Sequence, residues 1–272
     1  MTKLNSNIPS VRVHYHGIRT QLQNEQALER LSSGKRINSA VDDAAGLFVA
    51  QRIKVKILGV EQAIRNSQDA IGLIQVAEAG LNEIKSMVSR INELAVQMAN
   101  GVYSNDSDRK YAQLEVDQLV QQINLISSNT NFNGVSLLDG SLQNVNIQAG
   151  HTAQEKIAIS LRDASSDGLE ISDLSVTTRD NARNAMSKIL VVQDKLSDQF
   201  AYMGAMQNRL THNISLLSQD QTKAKFAFGR IMDADMAAES TNLSRTDILL
   251  KANAAMLAQS NGSIANLLIL FE

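Results

Sequence analysis

The chain has 272 residues, 43% of them hydrophobic but only 4% aromatic, with one Pro, no Cys and no Trp. That length supports one large or two modest domains, and the missing Cys excludes a disulfide scaffold and any Cys-ligated zinc or iron–sulfur site. With 26 basic and 28 acidic residues the net charge is −2, and no basic stripe is present to neutralise phosphates, so no nucleic-acid partner is expected.

The only Pro is Pro9, so helix breakers are missing from the rest of the chain. Near the N-terminus, Leu4, Ile8, Val11, Tyr15, Ile18, Leu22 and Leu28 recur at helical spacing and predict a first helix. Arg12, His14 and His16 interrupt what a cleaved secretory signal would need as an apolar run. From Ile53 a narrow seam alternates gaps of three and four: Ile53, Ile57, Val60, Ile64, Ser67, Ile71, Ile74, then Ala77, Leu81, Ile84, Val88, Ile91, Ala95 and Met98. At ~1.5 Å per residue this predicts a rod of about 70 Å, which cannot bury its own stripe.

Ala112, Val116, Leu119, Ile123 and Ile126 predict a shorter helix entered through a polar turn at Asn105–Asp108. Residues Asn129 to Gly140 are turn-rich, and residues 142–148 then alternate apolar with polar, as residues 156–161 do more loosely. Joined through Ala149-Gly150-His151-Thr152, they predict a hairpin at about 142–161. Asp163 to Thr178, rich in Ser, Asp and Gly, is expected to be irregular.

A second rod is marked by Ala182, Ala185, Ile189, Val192, Leu196, Gln199, Met203, Met206, Leu210, Asn213 and Leu217. A terminal helix is marked by Met236, Ser240, Leu243, Asp247, Leu250, Ala254, Leu257, Asn261, Ile264, Leu268 and Phe271. The polar residues on these seams, Ser67, Gln199, Asn213, Asp247 and Asn261, are expected to set register rather than add stability. The fold class is therefore mainly α: long antiparallel helical rods forming a coiled-coil bundle, with one small β-hairpin region mid-chain.

No chemistry of catalysis is legible. Gly34-Lys35 lacks the upstream Gly of a phosphate-binding loop. His14, His16, His151 and His212 do not form a metal-ligand set, and no Ser sits in a nucleophile elbow. Asp42-Asp43 and Asp233/Asp235 stand where helices start, as residues that complement the helix dipole. No window approaches the ~18 uninterrupted apolar residues of a membrane span, so no membrane partner is expected. Neither a cofactor nor a metal is expected, and the chain does not read as an enzyme.

The stretch Leu31-Ser32-Ser33-Gly34-Lys35-Arg36-Ile37-Asn38-Ser39-Ala40-Val41-Asp42-Asp43-Ala44-Ala45-Gly46-Leu47 closely resembles the N-terminal signature of bacterial flagellin. So do Arg90-Ile91-Asn92-Glu93-Leu94-Ala95-Val96-Gln97 and Phe132-Asn133-Gly134 with Leu137-Leu138. Asp233-Ala234-Asp235-Met236-Ala237, Thr241-Asn242-Leu243 and Met256-Leu257-Ala258-Gln259 are similar to the family's C-terminal pattern. The resemblance covers essentially the whole chain, in order. Departures are Val13-His14-Tyr15-His16 near the start and Gly262-Ser263-Ile264 where the family commonly has a Pro.

The resemblance implies an inner coiled-coil domain made of residues 1–42 and 231–272, which orders on assembly, and a helical bundle domain over 43–230. Only about Asp163 to Thr178 stands where relatives insert outer domains, so the chain is similar to a minimal flagellin. The implied function is a structural subunit that polymerises into the flagellar filament, the alternative being the hook–filament junction protein of the same family. The implied assembly seams are Leu4, Ile8, Val11, Ile18 and Leu22 with Leu243, Leu250, Leu257, Ile264 and Leu268. Implied partners are other copies of the chain, hook-associated junction and cap proteins, and an export chaperone on the C-terminal segment. A vertebrate Toll-like receptor would be met by a patch at Arg90, Glu93, Leu94 and Glu115. Type III export without signal cleavage is implied, to an extracellular flagellum or, as the alternative, a periplasmic one.

Overall fold

The computed structural model describes residues 7–104 and 107–269, with side chains as far as Ser263 at the C-terminal end. Its elements are α1 (Ile8–Ser33), α2 (Ala44–Met98), α3 (Asp108–Asn129), β1 (Asn131–Phe132), β2 (Val135–Ser136), β3 (Val145–Gln148), β4 (Lys156–Ile159), α4 (Arg179–Met232) and α5 (Met236–Ile269). The chain divides into two compact units: residues up to Ile57 with those from Thr222 onward, and Leu58–Gln221. α2 and α4 contribute to both. Among the described residues no helix is long and apolar enough to cross a membrane.

Helix limits follow local chemistry. Asn7 caps α1 by accepting the Ser10 N–H at 3.1 Å, and Pro9 sits in the first turn, where its missing N–H costs nothing. α1 ends at Gly34, whose φ of +67° favours glycine and whose N–H returns to Arg30 O. Asp43 starts α2 by accepting the Gly46 N–H at 2.8 Å. A Cβ on Gly46 would lie 2.9 Å from Ile37 Cδ1, so the side chain is excluded by the close approach of the turn.

In the Leu58–Gln221 unit the predicted seams face inward. Ile74, Leu81, Ile84 and Ile91 of α2, Val116 and Ile123 of α3, and Ile189, Leu196 and Leu210 of α4 are buried in one core. The antiparallel course of α2 and α4 shows in two hydrogen bonds, Gln221 to Glu61 at 2.7 Å and Gln207 to Glu78 at 3.1 Å. The polar seam residues reach backbone carbonyls. Asn213 donates to Ala149 O at 2.9 Å, Gln199 donates to Arg162 O at 3.2 Å, and Ser67 Oγ donates to Ala63 O at 2.8 Å. The Asn213 and Gln199 bonds reach distant segments and so depend on the alignment of α4, whereas Ser67 is satisfied within its own helix.

The predicted hairpin is present as β3 and β4, antiparallel, with Val145 opposite Ile159 and Gln148 opposite Lys156. Asn66 of α2 donates to Gln148 O at 3.1 Å and fastens it to the rod. A second, smaller pair precedes it in the chain, with Phe132 opposite Val135 across Asn133-Gly134. These two turn residues have φ of +52° and +80°, the positive values that a tight two-residue hairpin turn requires.

Residues 163–178 are irregular, as the composition suggests, yet they are not a loose insertion. Leu169, Ile171, Leu174 and Val176 are buried in the main core. Gln113 of α3 holds the segment twice, donating to Leu174 O and accepting from Val176 N. Its Ser and Asp residues close turns, while its aliphatics roof the bundle.

Candidate functional site

In the unit built from the chain ends, α1 and α5 run antiparallel, and the surface they share mixes polar groups with aliphatic ones. Asn24 is buried and donates to Thr246 Oγ1 at 3.0 Å and to Asp247 Oδ1 at 2.8 Å. Arg30 pairs with Glu239 at 3.0 Å, and Asn7 donates to Asn261 Oδ1 at 3.2 Å. On α1 the inward positions are Ser10, Val13, Gly17, Thr20, Asn24 and Ala27, mostly small or polar; on α5 they are Leu243, Thr246, Leu250, Asn253, Leu257 and Ser260.

Most of the large apolar residues of α1 point elsewhere. Ile8, Val11, Tyr15, Ile18 and Leu22 are 55, 62, 77, 48 and 56% exposed. At 100° per residue they form a stripe on the side of α1 opposite Thr20 and Asn24. α5 likewise leaves Met236, Ile248, Leu249 and Met256 exposed. Of the sequence-derived seam residues, Ile8, Val11, Ile18 and Leu22 thus lie on the outer stripe, and Leu243, Leu250 and Leu257 lie half-buried toward α1. Leu4 and the side chains of Ile264 and Leu268 fall outside the described residues.

Fully burying one such side chain stabilises by about 1.5–3 kcal/mol, whereas a net hydrogen bond contributes about 0.5–1.5 kcal/mol. Covering the outer stripe is therefore the larger reserve of free energy in this pair of helices.

The two signature segments meet at the other end of α1. Lys35 and Asp233 form an antiparallel bridge, Arg36 N donates to Met232 O at 2.6 Å, and Ala234 N donates to Gly34 O at 3.0 Å. The Arg36 guanidinium adds a bond to Ile231 O at 2.9 Å, and Ile37 packs beneath with Ala50 and Met232. Asp42 Oδ2 accepts the N–H groups of Ser39 and Asn38, which hold its carboxyl below the ordinary aspartate value of 3.8. Asp235 caps α5 by accepting from Ala237 N and Ala238 N. The paired aspartates are turn and cap residues.

On the Leu58–Gln221 unit, Arg90 lies between two carboxylates, 2.9 Å from Glu115 and 3.0 Å from Glu93. Hydrogen bonds, first to Glu115 and then to Glu93, raise its pKa above the ordinary guanidinium value. All three side chains are well exposed, at 51, 68 and 45% for Arg90, Glu93 and Glu115. Leu94 is 4% exposed and belongs to the core, so the structure brings together three of the four patch residues.

Sequence reasoning missed Thr20 and Asn24 as inward residues, although their spacing with Gly17, Ser10 and Ala27 is as regular as that of the apolar stripe. It also missed Arg109, which is buried and donates to Met98 O, Asn100 O and Tyr103 O, closing the turn after α2. A cation beneath the last carbonyls of a helix complements its dipole.

The chain matches the family models for the bacterial flagellin N-terminal helical region over residues 4–143 and the C-terminal helical region over residues 186–271. It is 40% identical to a flagellin of Halalkalibacterium halodurans, over 95% of each chain. It is also 36% identical to the flagellar filament 33 kDa core protein of Treponema phagedenis, over 93% of this chain and 94% of that one. The crystal structure of Bacillus cereus flagellin superposes with a TM-score of 0.50 at 30% identity, covering 56% of this chain and 88% of that one. A putative flagellar hook-associated protein of Vibrio parahaemolyticus gives a TM-score of 0.58 over 71% of this chain and 100% of that one. At 13% identity that likeness shows a shared fold alone and gives the hook–filament junction alternative no support.

Long paired helices with an exposed apolar stripe and no enclosed catalytic cluster among the described residues fit the class of self-associating structural proteins. The chain belongs to the bacterial flagellin family, the structural subunits of the flagellar filament.

Proposed function

We propose that this subunit polymerises through the outer stripe of α1 and the exposed apolar residues of α5, with ordering of the two helices coupled to assembly. The observation that carries the reading is the exposure of Ile8, Val11, Tyr15, Ile18 and Leu22 on a helix whose other side is occupied by α5. A stripe of this kind, met by a different surface of the next copy, makes a heterologous contact that does not close and so extends as a helix. By sequence spacing Leu4 extends the outer stripe of α1, while Ile264 and Leu268 extend the row of Leu243, Leu250 and Leu257. Deleting residues 1–30 or 240–272 is expected to leave a soluble bundle that does not polymerise. Filaments of either truncated chain in electron micrographs would refute the assignment.

The finer roles follow from that reading. The inner domain comprises residues 1–42 and 231–272, and the bundle domain residues 43–230. The chain leaves the cell unfolded through the type III apparatus, a route to which a Cys-free sequence is suited. An export chaperone covers the C-terminal segment from about Met236, hook-associated junction and cap proteins meet the filament's two ends, and the filament is extracellular. The chain has no catalytic role. Thin sections of cells with the filament labelled test the location, since label confined beneath the outer membrane would make it periplasmic.

A receptor patch for a vertebrate Toll-like receptor is centred on Arg90, Glu93 and Glu115, supported by their shared exposed face. Leu94 supports it from the core side. Arg90→Ala is expected to lower signalling in a receptor reporter-cell assay, and unchanged signalling would refute the patch.

A further inference from the structure

Within the unit built from the chain ends, the first turns of α2 and the last turns of α4 face each other through Leu47 and Ala50 on one helix and Phe228, Ile231 and Met232 on the other. Their charge is one-sided. Residues 44–57 carry Arg52, Lys54 and Lys56, residues 222–232 carry Lys223, Lys225 and Arg230, and neither segment contains an Asp or Glu. The Leu58–Gln221 unit has the opposite sign, with 19 acidic residues against 12 basic. Copies of such a chain attract one another through unlike units.

Part of the basic charge is used internally: Lys56 and Lys225 have partners within the chain, and Arg52 lies over the Phe48 ring. Lys223 and Arg230 are exposed and stand in no ion pair among the described residues. At 100° per residue they share the outer face of α4 with Phe226, itself exposed. That face runs cation, aromatic, cation over two turns.

A surface of matching chemistry lies on the Leu58–Gln221 unit. There α4 exposes Leu190, Val191, Asp194, Asp198 and Tyr202 on one side, and neither aspartate stands in an ion pair among the described residues. At its Asp198 end is a hollow of about 320 Å³, lined by Ser160, Arg162, Asp198, Gln199 and Tyr202. Arg162 and Tyr202 offer a guanidinium and an aromatic ring, both of which favour the face or edge of a second ring. The other acidic stripe, Asp69 and Glu83 on α2, has Val76 as the only exposed large apolar residue between them.

We propose that the Lys223–Phe226–Arg230 face of one copy docks on the Asp194–Asp198 face of a second copy, with the Phe226 ring in the hollow beside Arg162. Lys223 and Arg230, about 10 Å apart along the helix axis, bracket the ring and reach the two carboxylates. The two faces differ, so the contact is heterologous and leaves one of each free on a pair for further copies. It shares its partner, another copy, with the assembly reading above, but neither of its surfaces.

The full chain has no native Cys, so single-cysteine chains report the contact. Ala227→Cys and Ala201→Cys, each next to one of the two faces, are mixed and treated with a short bis-maleimide. In low salt, covalent dimers of the two different chains are expected to exceed dimers of like chains by about tenfold. In about 1 M NaCl, where charges are screened beyond about 3 Å, the excess is expected to disappear. Lys223→Glu with Arg230→Glu in the first chain, or Asp194→Lys with Asp198→Lys in the second, is expected to lower the mixed dimer about tenfold, and combining the two reversed chains restores it. Phe226→Ala also lowers it, whereas Asp69→Asn with Glu83→Gln leaves it unchanged. Mixed dimers no more abundant than like ones, a yield indifferent to salt, no recovery with both faces reversed, or loss in the Asp69 and Glu83 variant would each overturn the proposal. Truncations that still polymerise would refute the assembly reading without altering these yields.

Discussion

Asp42 shows how much order one carboxylate can impose on an exposed turn. It accepts from Asn38 N, Ser39 N and Ser39 Oγ, and these bonds to its charged form lower its pKa. A carboxyl titrating lower in the folded turn than in the unfolded chain contributes order that is present above the ordinary value of 3.8 and lost as pH falls through the lowered one. Amide protection factors at Asn38 and Ser39 are expected to hold down to about pH 4 and to fall below it; in Asp42→Asn they are already low at neutral pH. Gly80 makes a different demand, because a Cβ there would lie 2.7 Å from Thr130 Oγ1 and 2.9 Å from Leu138 Cδ1. Leu138 is wholly buried, so it has no room to yield, and Gly80→Ala is expected to destabilise the bundle by about 1–3 kcal/mol in thermal unfolding.

The elements differ in how far the sequence reveals them, and the difference has a physical basis. Seams that bury against the same chain are legible, as Ile74, Leu81, Ile84 and Ile91 show, because apolar residues at helical period face the core. The same rule misleads in α1, where Ile8, Val11 and Ile18 are outward and Thr20 and Asn24 inward. Which apolar stripe is covered by the chain and which is left for another copy is not written in the period. The hairpin of β3 and β4 is legible from alternation, while β1 and β2, two residues each, are too short to alternate; Asn133-Gly134 was their only signal. Residues 163–178 are the least transparent, since polar composition conceals Leu169, Ile171, Leu174 and Val176 in the core. Truncating Leu174 to Ala is expected to cost about 2–5 kcal/mol, measured by denaturant unfolding, where a loose loop would show almost no change.

For the whole molecule, two kinds of surface divide the work. The Leu58–Gln221 unit encloses its own core, whereas the unit of chain ends holds α1 to α5 by polar bonds beside half-buried Leu residues and leaves Ile8, Val11, Tyr15, Ile18 and Leu22 of α1 outside. On the assembly reading proposed above, the first unit is stable as one chain and the second is completed by neighbouring copies. The most direct test of this account places a charge on the outer stripe without touching the α1–α5 contact: Ile18→Asp, added to seeds cut from filaments of the unmodified chain. The account predicts a soluble protein with the bundle's thermal midpoint unchanged and no elongation of seeds in electron micrographs. Elongation at the rate of the unmodified chain would contradict it.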